Sequence, residues 1–189
     1  MLQHSAFTTT YDRRVRVLKN EVQICLPYSL EEMREKVKNN EQYFLKKYTA
    51  IWDTGATGSV ITKKVINDLN LKPTGLVEVN HAQGKTTTNT YLVNIALPLR
   101  VIVGPLKVIE GVLPDDTEVL IGMDIIAEGD FAVTHGKGFT KMSFKIPSTE
   151  DIDFIFLADR ENIRLSGGNR EHRRALGKKL KRQNKKKRK

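Results

Sequence analysis

One carboxylate in this chain sits in a setting suited to chemistry. Asp53 lies within Ala50-Ile51-Trp52-Asp53-Thr54-Gly55-Ala56-Thr57-Gly58-Ser59-Val60-Ile61. An apolar run leads straight into an acid, then a hydroxyl residue, then glycine. That order puts a carboxylate at the end of a rigid strand. Gly55 is free to take backbone angles closed to other residues and to bring its N–H close to the carboxylate. Thr54 adds a hydroxyl able to lock the loop. A carboxylate held in this way is suited to moving protons as a general acid or base. The competing reading is a plain turn, since Asp-x-Gly is common there.

The surrounding elements decide between these readings. From Tyr48 the texture is that of a compact β domain. Short β-branched runs (Thr49–Trp52, Leu92–Leu99, Val101–Val103, Val119–Ile121) are separated by Gly, Pro, Asn and Asp. Thr62 is placed to cap a helix over Lys63 to Leu69, with Val65, Ile66 and Leu69 on one face. Asn70 suits a left-handed stop. A second short helix is expected at Asp124 to Ala127. A final hairpin is expected from Phe131 to Ile146, turning at His135-Gly136-Lys137-Gly138. Before the β domain, Val15 to Leu26 reads as strand or hairpin. Ser29 to Lys38 reads as helix, with Ser29 as N-cap and Glu31 and Glu32 in its first turn. Asn39 to Lys47 reads as a connector.

The Asp53-Thr54-Gly55-Ala56 segment resembles the signature of the retropepsin-like aspartic proteases. Two apolar residues, Val60 and Ile61, and a helix follow it. Later comes Val119-Leu120-Ile121-Gly122-Met123-Asp124-Ile125-Ile126, similar to the family's second landmark, an apolar strand ending in Gly and leading into a short helix. Between them, Val79-Asn80-His81-Ala82-Gln83-Gly84-Lys85 stands where the family carries its flap. The resemblance spans Tyr48 to Pro147. It implies an all-β fold: a retropepsin-like acid-protease barrel with one or two short helices, assembled as a two-fold homodimer. It also implies an aspartic endopeptidase. A pair of carboxylates sharing one proton would activate a water, because like charges about 3 Å apart cannot both ionise. The chain has a single Asp-Thr-Gly and no internal repeat. The second carboxylate would therefore come from a second copy.

Carried over residue by residue, Asp53 is the acid/base. Thr54 holds the two loops together across the axis. Gly55 supplies a backbone group to the loop and substrate. Ala56, Thr57, Ala82, Gln83 and Gly84 line the substrate, a polypeptide. No metal or organic cofactor is implied. The family's retroviral members carry acids just after the triplet; here Thr57 and Gly58 stand instead, and Gly84 is the flap's only glycine. The alternative function is a catalytically idle dimeric module that binds or scaffolds peptides and is tethered to polyanions by a basic C-terminal tail. Asp-Thr-Gly-Ala-Thr also resembles the phosphate loop of actin-like sugar kinases, but those need two large subdomains and a second glycine-rich loop.

Charge locates a separate feature. Twelve of the 32 Lys and Arg lie between Gly167 and Lys189 against one acid, Glu171, so that segment carries +11 and the remainder −1. The expected organisation is an N-terminal extension over 1–47, the protease domain over 48–147, a connector over 148–166 and a basic, disordered tail over 167–189. The tail suits nonspecific contact with nucleic acid or an anionic surface. Lys185 to Lys189 lacks the aromatics that stacking on bases needs. Asp115, Asp116, Glu118 and Asp124 read as a solvated loop rather than a metal site. One cysteine, Cys25, suits a reducing compartment. No apolar run approaches the roughly 20 residues that span a bilayer, and the polar N-terminus lacks a signal peptide's apolar stretch. The expected location is cytoplasmic.

Overall fold

The computed structural model describes residues 4–39, 45–81, 84–98, 101–114 and 116–165. The chain forms two units, Met1–Thr149 and Glu150–Lys189. The first is dominated by strands. In chain order it holds β1 (Ser5–Thr10), β2 (Lys19–Cys25), α1 (Leu30–Lys38), β3 (Lys46–Trp52), β4 (Val60–Ile61) and α2 (Lys63–Asp68). There follow β5 (Gly75–His81), β6 (Gly84–Ala96), β7 (Ile102–Glu110), β8 (Val119–Ile121), α3 (Met123–Ile126), β9 (Asp130–Thr134) and β10 (Lys141–Ile146).

Seven strands form one sheet in the order β2-β3-β8-β4-β7-β6-β5, and β2 also pairs with β6. That extra pairing closes a six-stranded barrel and leaves β5 projecting with β6 as a hairpin. The barrel is filled by alternate side chains of its strands, among them Val22, Ile24, Ile61, Val93, Ile95, Val108, Val119 and Ile121, all essentially inaccessible. Val65 and Ile125 bring α2 and α3 onto the same core. The fold class is therefore the expected one: all-β with short helices.

The other sheet has the order β1-β10-β9. Strands β1 and β2, which the sequence reading assigned to an extension, are thus hydrogen-bonded to β10 and to β3 and β6. Phe7, Phe131 and Phe144 of this sheet surround Trp52. The indole stacks on Phe131 at 5.6 Å and 8°, with Phe144 at 5.3 Å and Phe7 at 5.7 Å.

Local signals explain the helix boundaries. At α1, Ser29 Oγ accepts from Glu32 N at 3.1 Å while Ser29 N donates to Glu32 Oε2 at 2.6 Å, a reciprocal cap. Asn70 takes a left-handed φ of 48° just past α2. Thr62 is the N-cap of α2, but its hydroxyl makes no capping bond. The hairpin β9–β10 turns through a short 3-10 segment at Gly136–Gly138, as expected. The strand expected at Val101–Val103 instead runs on to Glu110, past Gly104-Pro105. A register shift between Val93 and Ile95 on β6 accommodates it.

In the second unit, residues expected as a connector contain α4 (Phe154–Leu165), with Phe154 and Ile155 exposed. The basic tail, 167–189, lies outside the described residues.

Candidate active site

Strand β3 buries Tyr48, Ala50 and Trp52 and is held on both sides. Antiparallel β2 flanks it on one side, and parallel β8 on the other with Trp52 opposite Ile121. Trp52 N donates to Leu18 O at 3.0 Å, and Asp53 N donates to Ile121 O at 3.0 Å. The indole Nε1 donates to Asn20 Oδ1 at 2.9 Å. Asp53 therefore leaves the sheet from a strand end fixed by backbone bonds and by a buried aromatic nest.

A tight turn follows. Ala56 N donates to Asp53 O at 3.3 Å, and Gly55 N donates to Asp53 Oδ1 at 2.8 Å. The carboxylate is half-buried, and its other oxygen has no protein partner among the described residues. The expectation for Gly55 needs a correction. Its φ is not in the left-handed region. What a side chain there would disturb is the close approach to the acid, since a Cβ would stand 3.2 Å from Asp53 Oδ1. Thr54 and Thr57 are exposed, and Ala56 is half-buried.

The loop then crosses the end of β8. Met123 N donates to Ala56 O at 2.8 Å, and β4 pairs antiparallel with β8 through Val60 and Leu120. Here glycine is required at 122, because a Cβ would stand 2.6 Å from Gly58 C and 2.7 Å from Gly58 O. Ser59 is fully buried. Its Oγ and N donate to Asp124 Oδ1 and Oδ2 at 2.7 and 2.8 Å, and its Oγ accepts from Gly122 N at 3.1 Å. Nothing in the local pattern announces this pair; only the contact of two landmark segments reveals it.

The hairpin β5–β6 stands where a flap is expected, paired from Gly75–Thr90 to His81–Gly84. Gly84 has φ of 127° at its tip. Ala82 and Gln83 lie outside the described residues. A groove of about 910 Å3 runs between this hairpin and the β4–β7 region, lined by Val79, Thr86, Val60, Ile109, Leu113 and Leu120 among others. Val112, also on its wall, is wholly exposed.

Asp115 lies outside the described residues, and the described acids near β8 each serve a different partner. Asp116 pairs with Lys19, Glu118 accepts from Thr49 N and faces Lys64, and Asp124 serves Ser59. No cluster able to hold a metal occurs among the described residues.

Residues 45–128 match the family described as "gag-polyprotein putative aspartyl protease". By that match the segment is similar to the retropepsin-like aspartic proteases. The match spans the Asp53 loop, the flap hairpin and the Gly122 strand. No curated protein matches the chain. Among solved structures, a retropepsin-like aspartic protease from Rickettsia conorii is 15% identical, with 77% of this chain and 97% of that one covered and a TM-score of 0.44. EIAV protease complexed with the inhibitor HBY-793 is 19% identical over 63% and 92% of the two chains, with a TM-score of 0.40. The Simian Foamy Virus (mac) protease is 15% identical over 58% and 92%, with a TM-score of 0.36. No helix among the described residues is long and apolar enough to cross a membrane.

Proposed function

We propose that the chain is an aspartic endopeptidase in which two copies each contribute Asp53 to a water-activating pair. The observation that carries this reading is the Asp53 loop itself. It is a half-buried carboxylate at a clamped strand end, accepting the Gly55 N–H and facing out with an exposed Thr54. A single such loop per chain cannot supply two carboxylates. In the dimer one carboxylate takes a proton from water, and the other donates one to the peptide carbonyl oxygen. Thr54 bonds across the two-fold axis, and Gly55 offers its backbone to the loop and substrate. Ala56, Thr57, Ala82, Gln83 and Gly84 contact an extended polypeptide, and the groove beside β5–β6 receives an apolar side chain. The protease domain is assigned to 48–147, and the N-terminal segment adds β2 to its barrel and β1 to its second sheet. The basic tail adds nonspecific affinity for polyanions, and the reducing compartment is the cytoplasm.

The test is cleavage of denatured protein between pH 4 and 7.5 by wild type and Asp53→Asn, over concentrations spanning dimer formation. Cleavage lost in the variant and falling steeply on dilution is expected. Equal silence of both proteins with the dimer intact would leave the idle peptide-binding module instead.

A further inference from the structure

Asp124 was read from the sequence as one acid of a solvated loop, and the proposed reaction gives it no part. Its surroundings argue otherwise. Both carboxylate oxygens are taken by one residue, Ser59, through its hydroxyl at 2.7 Å and its backbone N–H at 2.8 Å. The same hydroxyl accepts the Gly122 N–H at 3.1 Å. Ser59 is wholly buried, so without Asp124 its two donors would lie orphaned away from water.

The circuit closes around the candidate catalytic loop. Residues 53–59 are fixed at one end where Asp53 N meets Ile121 O, and in the middle where Ala56 O meets Met123 N. At the other end Ile109 N donates to Ser59 O at 3.0 Å, and the Ser59 side chain, itself oriented by Asp124, adds a second hold. A carboxylate is the one side chain that accepts both a hydroxyl and a backbone N–H in this forked geometry. Asparagine offers one oxygen and turns its NH2 toward the other of Ser59's two donors.

We propose that Asp124 is a positioning residue, which acts through Ser59 to set the loop that presents Asp53. This rests on the proposed proteolytic reading, but its test does not depend on it wholly. The experiment uses the full chain with Asp124→Ala, Asp124→Asn, Ser59→Ala and the double alanine variant. Active sites are counted by titration with a tight-binding hydroxyl-bearing inhibitor, so that unfolded protein drops out of the rate. The expected result is a fall in kcat per titrated site of roughly 10- to 100-fold for Asp124→Ala, with KM within about twofold, because a displacement near 1 Å costs about that much. Asp124→Asn falls between, and the double variant is no worse than either single one. In parallel, hydrogen exchange at amides 53–59 should speed up in Asp124→Ala while β9 and β10 keep their protection.

An unchanged kcat per site, with only fewer sites or a lower Tm, overturns the proposal and leaves Asp124 a merely structural acid. Silence of the wild type would sink the proteolytic reading, and the exchange data would still judge the lock. Unchanged exchange at 53–59 overturns the proposal whatever the activity.

Discussion

Replacing Gly122 by alanine tests the crossing of the two landmark segments most directly. The added Cβ would stand 2.6 Å from Gly58 C, 2.7 Å from Gly58 O and 3.1 Å from Ala56 O. All three are backbone atoms, so no side chain can swing aside. Ordinary contact needs the loop to retreat by about 0.8 Å, and overpacking of this kind costs about 1–3 kcal/mol. In a unit of this size that is a fall in Tm of roughly 3–10 °C. The retreat displaces the loop that carries Asp53, so cleavage should fall about 10- to 100-fold. Gly58→Ala is the control on the facing segment. Its Cβ would meet only Ile109 Cδ1 at 3.8 Å and Asp124 Oδ2 at 3.9 Å. It should stay within about 0.5 kcal/mol of wild type. Thermal denaturation of both variants settles the matter. A Gly122→Ala protein melting within about 1 °C of wild type would refute the argument, as would a Gly58→Ala protein that falls as far.

Four other variants probe the supports of the site. Trp52→Ala should cost about 3–5 kcal/mol in chemical denaturation, since it empties the nest of Phe7, Phe131 and Phe144; a cost below about 1 kcal/mol would contradict the packing. Asp68 is held below the usual carboxylate range, first by the hydrogen bond from Lys46 and then by Lys64. Its lowered folded pKa contributes stability above the ordinary carboxylate range that is lost as pH falls through it, so Lys46→Met should flatten the acid side of the stability profile. Burial, with Asp68 beside it, pushes the Tyr48 phenol up. That contribution is present below about pH 10 and lost as pH climbs beyond, so Tyr48→Phe should flatten the alkaline side, and an unchanged alkaline limb would count against it. Ala56 closes the turn through its N–H to Asp53 O. A serine hydroxyl there would donate toward the carboxylate pair and favour its charged form. Ala56→Ser should therefore move the acidic limb of the rate profile to lower pH, and an unmoved limb would refute this.

The elements that the sequence announced are those whose causes are local. Ser29 with Glu32, Asn70 after α2, and the His135–Gly138 turn each carry their own signal within a few residues, and each stands where it was read. Where the cause is distant, the pattern misleads. Gly104-Pro105 reads as a break, since Pro lacks the N–H a ladder needs. Yet β7 runs through it, because the partner strand shifts register around Asn94. Ser5–Thr10 reads as a polar terminus. It is a strand because β10, more than a hundred residues on, offers it an edge, with Phe7 inserted beside Trp52 and Phe144.

The site divides along the same line. As a candidate site, Asp53, Thr54 and Gly55 were legible because the triplet is contiguous, and Gly122 because it ends an apolar strand. What makes Gly122 necessary was not legible: it is the backbone of Gly58 pressed against it. The Ser59–Asp124 pair is the extreme case. Two residues 65 apart in sequence share two hydrogen bonds, and each alone has an ordinary explanation, a small residue after a loop and an acid in the first turn of a short helix. A contiguous motif states which atoms could react. How rigidly they are held depends on the partners the crossing strands supply, and for Asp53 those partners are Ile121, Met123 and, through Ser59, Asp124.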